Sequence, residues 1–299
     1  MNLSSFGMDS STMSGTLECR LHAACDAGFT QMMLWAANLG AHPGGVKEAV
    51  RMVRASGLRV TGLQVLRDYE GRDGVAHAHK LDIARQLLQL CQMVGAPLLL
   101  VCSSTSPDAT GDTSALAGDM ARLAELAAPF GVKIGYEALS WGRHVNVLEQ
   151  AWEVVDLAEH PNLGVVVDAF HVLARSDQHG GHLNCLDDMP SHKIFLVQLS
   201  DALAPMPGID GERLEMARHE RVFPGQGVHA DALTDLLRRL DRAGYRGDYS
   251  FEVANDDYLQ LPPAAVAHDA RASARWVTEQ VLPRSLAMRR RTATAQAML

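Results

Sequence analysis

Four side chains able to offer oxygen to a hard cation stand at the ends of apolar runs from residue 137 onward. Glu137 closes KIGYE, Asp168 closes GVVVD, Gln198 sits in IFLVQLS and Glu252 closes YSFE. The gaps between them are 31, 30 and 54 residues, so each belongs to a different element. Any one of them alone reads as an ordinary strand-end group that caps the next helix or pairs with an arginine. Four at successive strand ends do not, because three carboxylates brought together repel one another and burial raises the cost. A divalent cation resolves the repulsion. Three anionic oxygens and one amide suit Mg²⁺ or Mn²⁺, with Co²⁺ as a third option, better than Zn²⁺, which usually recruits His or Cys.

Other groups with chemistry gather on the segments that follow. His171 comes three positions after Asp168 in DAFH, where one helical turn aims both side chains the same way. Arg143 and His144 follow Glu137 in WGRHVN. Arg67, Asp68 and Glu70 stand in LRDYEG, and Arg67 could clamp a carboxylate with two parallel hydrogen bonds. ARHERVFPGQG, residues 217–227, brings Arg218, His219 and Arg221 ahead of a Pro-Gly-Gln-Gly turn. Its length predicts a loop over the mouth of the site with an anion-binding role.

The elements that must position these groups alternate along the chain. Apolar runs at 59–66, 97–103, 132–138, 163–169, 193–200 and 248–254 predict buried strands, with fainter ones at 3–8 and 29–35. Between them lie helix-period stretches such as TLECRLHAACDAG, AHKLDIARQLLQLCQMVG and HADALTDLLRRLDRAG, several closed by glycine. Another helix is expected over 263–281, and only a short helical piece after residue 169. Near-continuous apolar strands separated by helices imply a parallel sheet covered on both faces. Eight such units with no linker between them predict a single α/β domain, a (β/α)8 TIM barrel, over residues 1–282 with a C-terminal tail at 283–299. An open doubly wound sheet is the alternative, but no G-x-G-x-x-G follows the first strand.

The 299 residues are 47% hydrophobic and 21% charged, an ordinary globular composition, with a net charge of −8. That balance argues against nucleic acid or an anionic membrane surface as partner, since both need a basic footprint. Arg289, Arg290 and Arg291 in the tail read as a solvated terminus. Five cysteines without metal-type spacing predict free thiols in a reducing compartment. The N-terminus has no signal-peptide pattern and no apolar run reaches the roughly 20 residues that span a bilayer, so a cytoplasmic protein is expected. The partner expected is a small, polar molecule, carboxylate-bearing or sugar-like; assembly into a homo-oligomer is left open.

Taken together, QVLRDYEG (64–71), LLLVCSSTSPDATGD (98–112), GYEALSWGRHVN (135–146), HPNLGVVVDAFHVLAR (160–175), FLVQLSDA (195–202), RHERVFPGQG (218–227) and FEVANDD (251–257) resemble the xylose isomerase-like TIM-barrel superfamily. Within it they look most like the metal-dependent 3-dehydroshikimate dehydratases of bacterial quinate catabolism. The likeness runs from about residue 14 to about 280, and W-G-R-H-V-N and F-P-G-Q-G are its specific pieces. It implies that the family's metal ligands fall on Glu137, Asp168, Gln198 and Glu252. Isomerases and epimerases of the superfamily commonly carry a His as third ligand, so Gln198 favours the dehydratase. Two features depart from the pattern. MMLWAANLG (32–40) puts Met33 and Ala36 where the dehydratases tend to have acidic residues. Some relatives carry a C-terminal dioxygenase-like domain, whereas this sequence ends without one, and a lone barrel is expected.

The reaction so implied converts 3-dehydroshikimate to protocatechuate and water. A proton leaves the carbon beside the ketone, hydroxide departs, and the ring becomes aromatic; the cation would stabilise the enolate as a Lewis acid. His171 and His144 are the expected proton-transfer pair, with base and acid unassigned. Arg67 and Arg221 are expected at the substrate carboxylate, with Arg218 and His219 in support. Trp35 and Trp141 either wall the pocket or only pack. The alternatives are a divalent-metal sugar or inositol isomerase/epimerase, with Glu137 and Glu252 as opposed proton-transfer carboxylates, and a catalytically inactive small-molecule-binding barrel. A DNA-repair endonuclease would need a His-rich metal cluster and a basic face, which the sequence lacks.

Overall fold

The computed structural model describes residues 2–175 and 183–282; the tail at 283–299, with its arginine triplet, lies outside the described residues. Among them ten strands form: β1 (Phe6–Asp9), β2 (Gln31–Trp35), β3 (Arg59–Arg67), β4 (Leu98–Cys102), β5 (Lys133–Glu137), β6 (Leu163–Asp168), β7 (Ile194–Leu199), β8 (Asp201–Ala202), β9 (Arg221–Val222) and β10 (Tyr249–Phe251). Eight close into a parallel barrel in the order β1, β10, β7, β6, β5, β4, β3, β2, while β8 and β9 make a separate antiparallel pair. This is a TIM barrel. Every apolar run predicted as a strand is one, including the two fainter runs. β4 and β6 are buried at every residue, as strands covered on both faces must be.

Helices follow where the 3.6-residue period placed them. Leu17–Asp26 starts on Thr16, whose hydroxyl accepts from the Cys19 amide, and Ala230–Ala243 stops at Gly244, where φ is +89°. The expected 263–281 helix runs as Pro263–Trp276 and continues as a π turn through Val281. The barrel interior is filled by Met33, Leu98, Leu100, Cys102, Leu139, Val166 and Leu196. Gly62 makes room for Met33: a β-carbon there would come within 2.8 Å of its sulfur. Met33 is therefore a packing residue of the barrel, and Ala36 opens the short helix Ala36–Gly40.

One expectation needs correction. The segment at 217–227 is not simply a loop, because residues 217–219 end a helix, Asp210–His219, and Arg221 and Val222 form β9. DGERLEMARH has no apolar stripe to reveal a helix. Polar contacts dock it instead: the buried Arg213 donates to the Ala174 carbonyl at 3.1 Å and to Asp210 at 2.5 Å, and Arg175 reaches Asp210 at 3.0 Å.

Candidate active site

The four strand-end groups share the C-terminal rim of the barrel. Glu137 and Asp168 are the last residues of β5 and β6, Gln198 pairs in register with Asp168, and Glu252 follows β10, its amide donating to the Leu199 carbonyl at 3.3 Å. Glu137, Asp168 and Gln198 are buried. One oxygen of Glu137 accepts from the Cys102 thiol at 3.0 Å, while the other, Oε1, is buried and has no hydrogen-bond partner. Asp168 Oδ1 accepts from the Phe170 amide at 2.8 Å and so caps the turn that carries His171. Gln198 is fully buried, and neither its Oε1 nor its Nε2 has a partner. A buried amide without partners costs about 1–3 kcal/mol, which marks it as a group built to meet something else.

Arg221 answers part of the negative charge. Reaching in from β9 with 4% exposure, its NH1 donates to Asp168 Oδ2 at 2.8 Å and Glu252 Oε2 at 3.1 Å, and its guanidinium lies 4.6 Å over the Phe170 ring. Burial, together with Asp168 and Glu252, still pushes the Glu137 carboxyl well above its ordinary range; burial likewise raises Glu252, against the pull of Arg221. Three carboxylates against one guanidinium leave a surplus of negative charge around unpartnered oxygens. Glu137, Asp168 and His171 each bring one ligand-capable atom within 4.8 Å of the others. Both the orphaned Gln198 amide and the oxygen-rich donor set fit a hard divalent cation.

His171 lies beside this group. Its Nε2 is 3.5 Å from Asp168 Oδ2, and its Nδ1 lies 3.2 Å from both the amide nitrogen and the hydroxyl of Ser140. Ser140 can serve either tautomer: its N–H donates to a bare Nδ1, and its hydroxyl can accept from a protonated one. Burial, then the charge of Arg221, lowers the proton affinity of the ring well below the ordinary value, and Trp141 meets it edge-on at 4.9 Å.

Above these groups opens a cavity of about 690 Å³ lined by Trp35, Gln64, Arg67, Cys102, Glu137, Leu139, Trp141, His171, Arg218, Arg221 and Glu252, among others. Arg67 and Arg218 are exposed, and neither guanidinium has a hydrogen-bond partner among the described residues. Two predicted residues are not brought to the cavity. His144 turns Nε2 to the Ala109 carbonyl at 2.8 Å and lines a separate narrow crevice with Glu70 and Ser104. His219 points outward and pairs with Asp256 at 3.0 Å. Arg221, expected at the substrate, has committed its NH1 to the two carboxylates.

Sequence reasoning missed Asp9 and Gln64. Asp9 ends β1, fully buried, and its carboxyl is pushed up to about 7 by burial and by Glu252. The sequence carries a signal for it, a carboxylate that closes an apolar run one residue beyond Met8. Gln64 lies inside β3 and lines the cavity, and nothing in an apolar run marks which face a polar residue takes.

A family model for the xylose isomerase-like TIM barrel matches residues 21–280. The chain belongs to that family. It is 39% identical over 269 residues, 90% of its length, to a 3-dehydroshikimate dehydratase of Pseudomonas aeruginosa, and 30% identical over 164 residues, 54% of its length, to an inosose isomerase of Halalkalibacterium halodurans. The chain spans 41% of that dehydratase and 52% of that isomerase. The solved structure of a xylose isomerase-like TIM barrel/4-hydroxyphenylpyruvate dioxygenase fusion protein matches it with a TM-score of 0.85 at 36% identity, over 93% of this chain and 43% of that one. No described helix of this family member is long and apolar enough to cross a membrane.

Proposed function

We propose that this chain is a divalent-cation-dependent lyase that dehydrates 3-dehydroshikimate to protocatechuate and water. The observation that carries this reading is the pair of unengaged guanidiniums, Arg67 and Arg218, on the wall of a cavity whose floor holds the carboxylate cluster. The carboxylate of 3-dehydroshikimate gives such a pair an anion to hold, whereas a sugar or inosose offers it only neutral oxygens. The 39% identity over 90% of the chain to a named dehydratase supports the same choice.

Glu137, Asp168, Gln198 and Glu252 would hold the cation, Mg²⁺ or Mn²⁺ in preference to Co²⁺. Bound there, it supplies Lewis acidity toward the ketone oxygen. Arg67 and Arg218 orient the substrate through its carboxylate. Arg221 keeps Asp168 and Glu252 apart and in place. His171, in the tautomer whose Nδ1–H donates to the Ser140 hydroxyl, takes the proton beside the ketone on Nε2. Burial keeps the ring in its neutral, proton-accepting form while lowering its proton affinity. The hydroxyl then leaves as water with the proton that His171 took, and Trp35, Trp141 and Leu139 give the cavity apolar walls that exclude bulk solvent. His144, bonded to Ala109, serves the loop rather than the proton transfer.

The inosose isomerase relative favours a second reading, in which Glu137 and Glu252 exchange protons on opposite sides of a ketose-like substrate. Protein stripped of metal and resupplied with Mg²⁺, Mn²⁺ or Co²⁺ separates the two. Aromatic product from 3-dehydroshikimate, followed in the ultraviolet, is the expected result. Turnover of an inosose or ketose without any aromatic product would move the assignment to the isomerase, and binding without turnover of either would leave a sensor barrel.

A further inference from the structure

The thiol of Cys102, to which the proposed chemistry gives no part, stands against one of the expected cation ligands. β4 and β5 are neighbours in the barrel, and their last residues pair in register, Cys102 opposite Glu137. Residues paired across parallel strands send their side chains to the same face, here the barrel interior that Cys102 fills together with Leu100, Leu139 and Val166. The next residue fixes the backbone at this point. The Ser103 amide donates to the Glu137 carbonyl at 2.8 Å, and the Ser103 hydroxyl accepts from the Leu139 amide at 2.9 Å. That leaves the rotation of the Glu137 carboxylate to be set by its own contacts. The Cys102 thiol donates to Oε2 at 3.0 Å, and Oε1 is buried with no partner.

We infer that Cys102 is a positioning residue whose thiol holds Oε2 of Glu137 and so leaves Oε1 for the cation. The inference rests on the ligand set proposed above. A thiol suits the task because it carries a single weak S–H donor, which occupies one carboxylate oxygen and spares the other. Buried beside a carboxylate it keeps its proton, since a second negative charge there would be repelled. Its sulfur is soft, whereas Mg²⁺ and Mn²⁺ take oxygen, so it does not compete with Glu137 for the cation. Among the described residues, the ligand-capable atoms that gather within 4.8 Å of one another belong to Glu137, Asp168 and His171, and the sulfur is not one of them. Groups that orient a metal ligand contribute about 10–100-fold in metal affinity.

Alanine and serine at this position separate the donor from the packing. Both remove the sulfur, and only serine returns an O–H toward Glu137. Mn²⁺ titrated calorimetrically into the metal-stripped full chain should bind about tenfold more weakly to Cys102→Ala, and within about threefold of the unmodified chain to Cys102→Ser. Metal-free melting curves check that both variants fold. Equal losses in the two would assign the effect to packing and overturn the inference, as would Cys102→Ala binding within about twofold of the unmodified chain. The infrared S–H stretch gives a second readout that packing does not move. Cys102 should contribute a band at lower frequency than an unbonded thiol, removed by Cys102→Ser and retained when Mn²⁺ binds. A band at the unbonded frequency would deny the hydrogen bond, and one that Mn²⁺ abolishes would make the sulfur a ligand; either result overturns the inference. Glu137→Gln is measured alongside: if it leaves Mn²⁺ affinity unchanged, the ligand set itself falls and this inference with it. If it weakens binding while Cys102→Ala does not, the inference alone fails.

Discussion

Replacing Arg221 with methionine removes the guanidinium that bridges Asp168 and Glu252 and leaves both carboxylates in place. Arg221 is 4% exposed, and its NH1 lies 2.8 Å from Asp168 and 3.1 Å from Glu252. Breaking a buried pair by removing one partner costs about 3–5 kcal/mol, because the remaining charge is buried uncompensated. At roughly 2–4 °C per kcal/mol for a domain of this order of size, the melting temperature should fall on the order of 10 °C in chelator. Mn²⁺ should reverse much of that loss, since it neutralises the same carboxylates and no longer competes with a guanidinium for them. At a hundred times its Kd, a ligand adds about 2.7 kcal/mol to the native state, and the variant should gain more than the unmodified protein. Thermal melts in EDTA and in saturating Mn²⁺ measure both effects. A gap of less than about 2 °C in EDTA would refute the premise that Arg221 balances buried charge. A gap that Mn²⁺ leaves unchanged would refute the premise that cation and guanidinium act on the same groups.

Gln198→Leu removes an amide that has no partner in the metal-free protein, so stability in chelator should hold or rise by about 1–3 kcal/mol while Mn²⁺ affinity falls at least about tenfold; loss of metal-free stability would show that the amide has a partner after all. His171→Asn should lower kcat by about 10²–10⁴ with Mn²⁺ affinity nearly unchanged, whereas His144→Asn should cost less than about tenfold; metal content that falls in step with His171→Asn would make this histidine a ligand. Glu70, buried and held by the Ser104 amide and the Tyr136 hydroxyl, is pushed by burial from 4.5 up to about 7. Its proton is bound more tightly in the folded state, so its contribution is full below about pH 4.5 and is lost as pH rises through about 7, on the order of 3 kcal/mol in all. Urea unfolding from pH 5 to 8 should therefore slope less in Glu70→Gln, and an unchanged slope would assign the pH dependence elsewhere.

The barrel and its rim were legible because both rest on local pattern. An apolar run followed by an oxygen donor is visible at Glu137, Asp168, Gln198 and Glu252, and the parallel topology turns sequence order into spatial neighbourhood. Asp9 carries the same signal in its faintest form, at the end of a four-residue strand. The failures share a different cause. Helix Asp210–His219 is docked by Arg213 and Arg175 rather than by an apolar face, so no periodicity marks it. Whether a residue that follows a strand turns into the cavity or away depends on contacts far along the chain. His171 and His144 sit in equally suggestive motifs, yet one meets Ser140 beside the carboxylate cluster and the other the Ala109 carbonyl, in a crevice beside Glu70. Arg221 shows the same limit. Its motif marks an anion-binding group, and only the folded chain shows that the anions are Asp168 and Glu252.

Anomalous diffraction at the manganese edge from crystals soaked in Mn²⁺ tests most directly whether four strand ends make one cation centre. The prediction is a single strong peak with oxygens of Glu137, Asp168, Gln198 and Glu252 at about 2.1 Å, the distance expected for a small hard divalent ion. Arg221 should have drawn back from at least one of its two carboxylates. A peak ligated by His171 in place of Gln198, or none at this rim in a protein that still turns over its substrate, would contradict it.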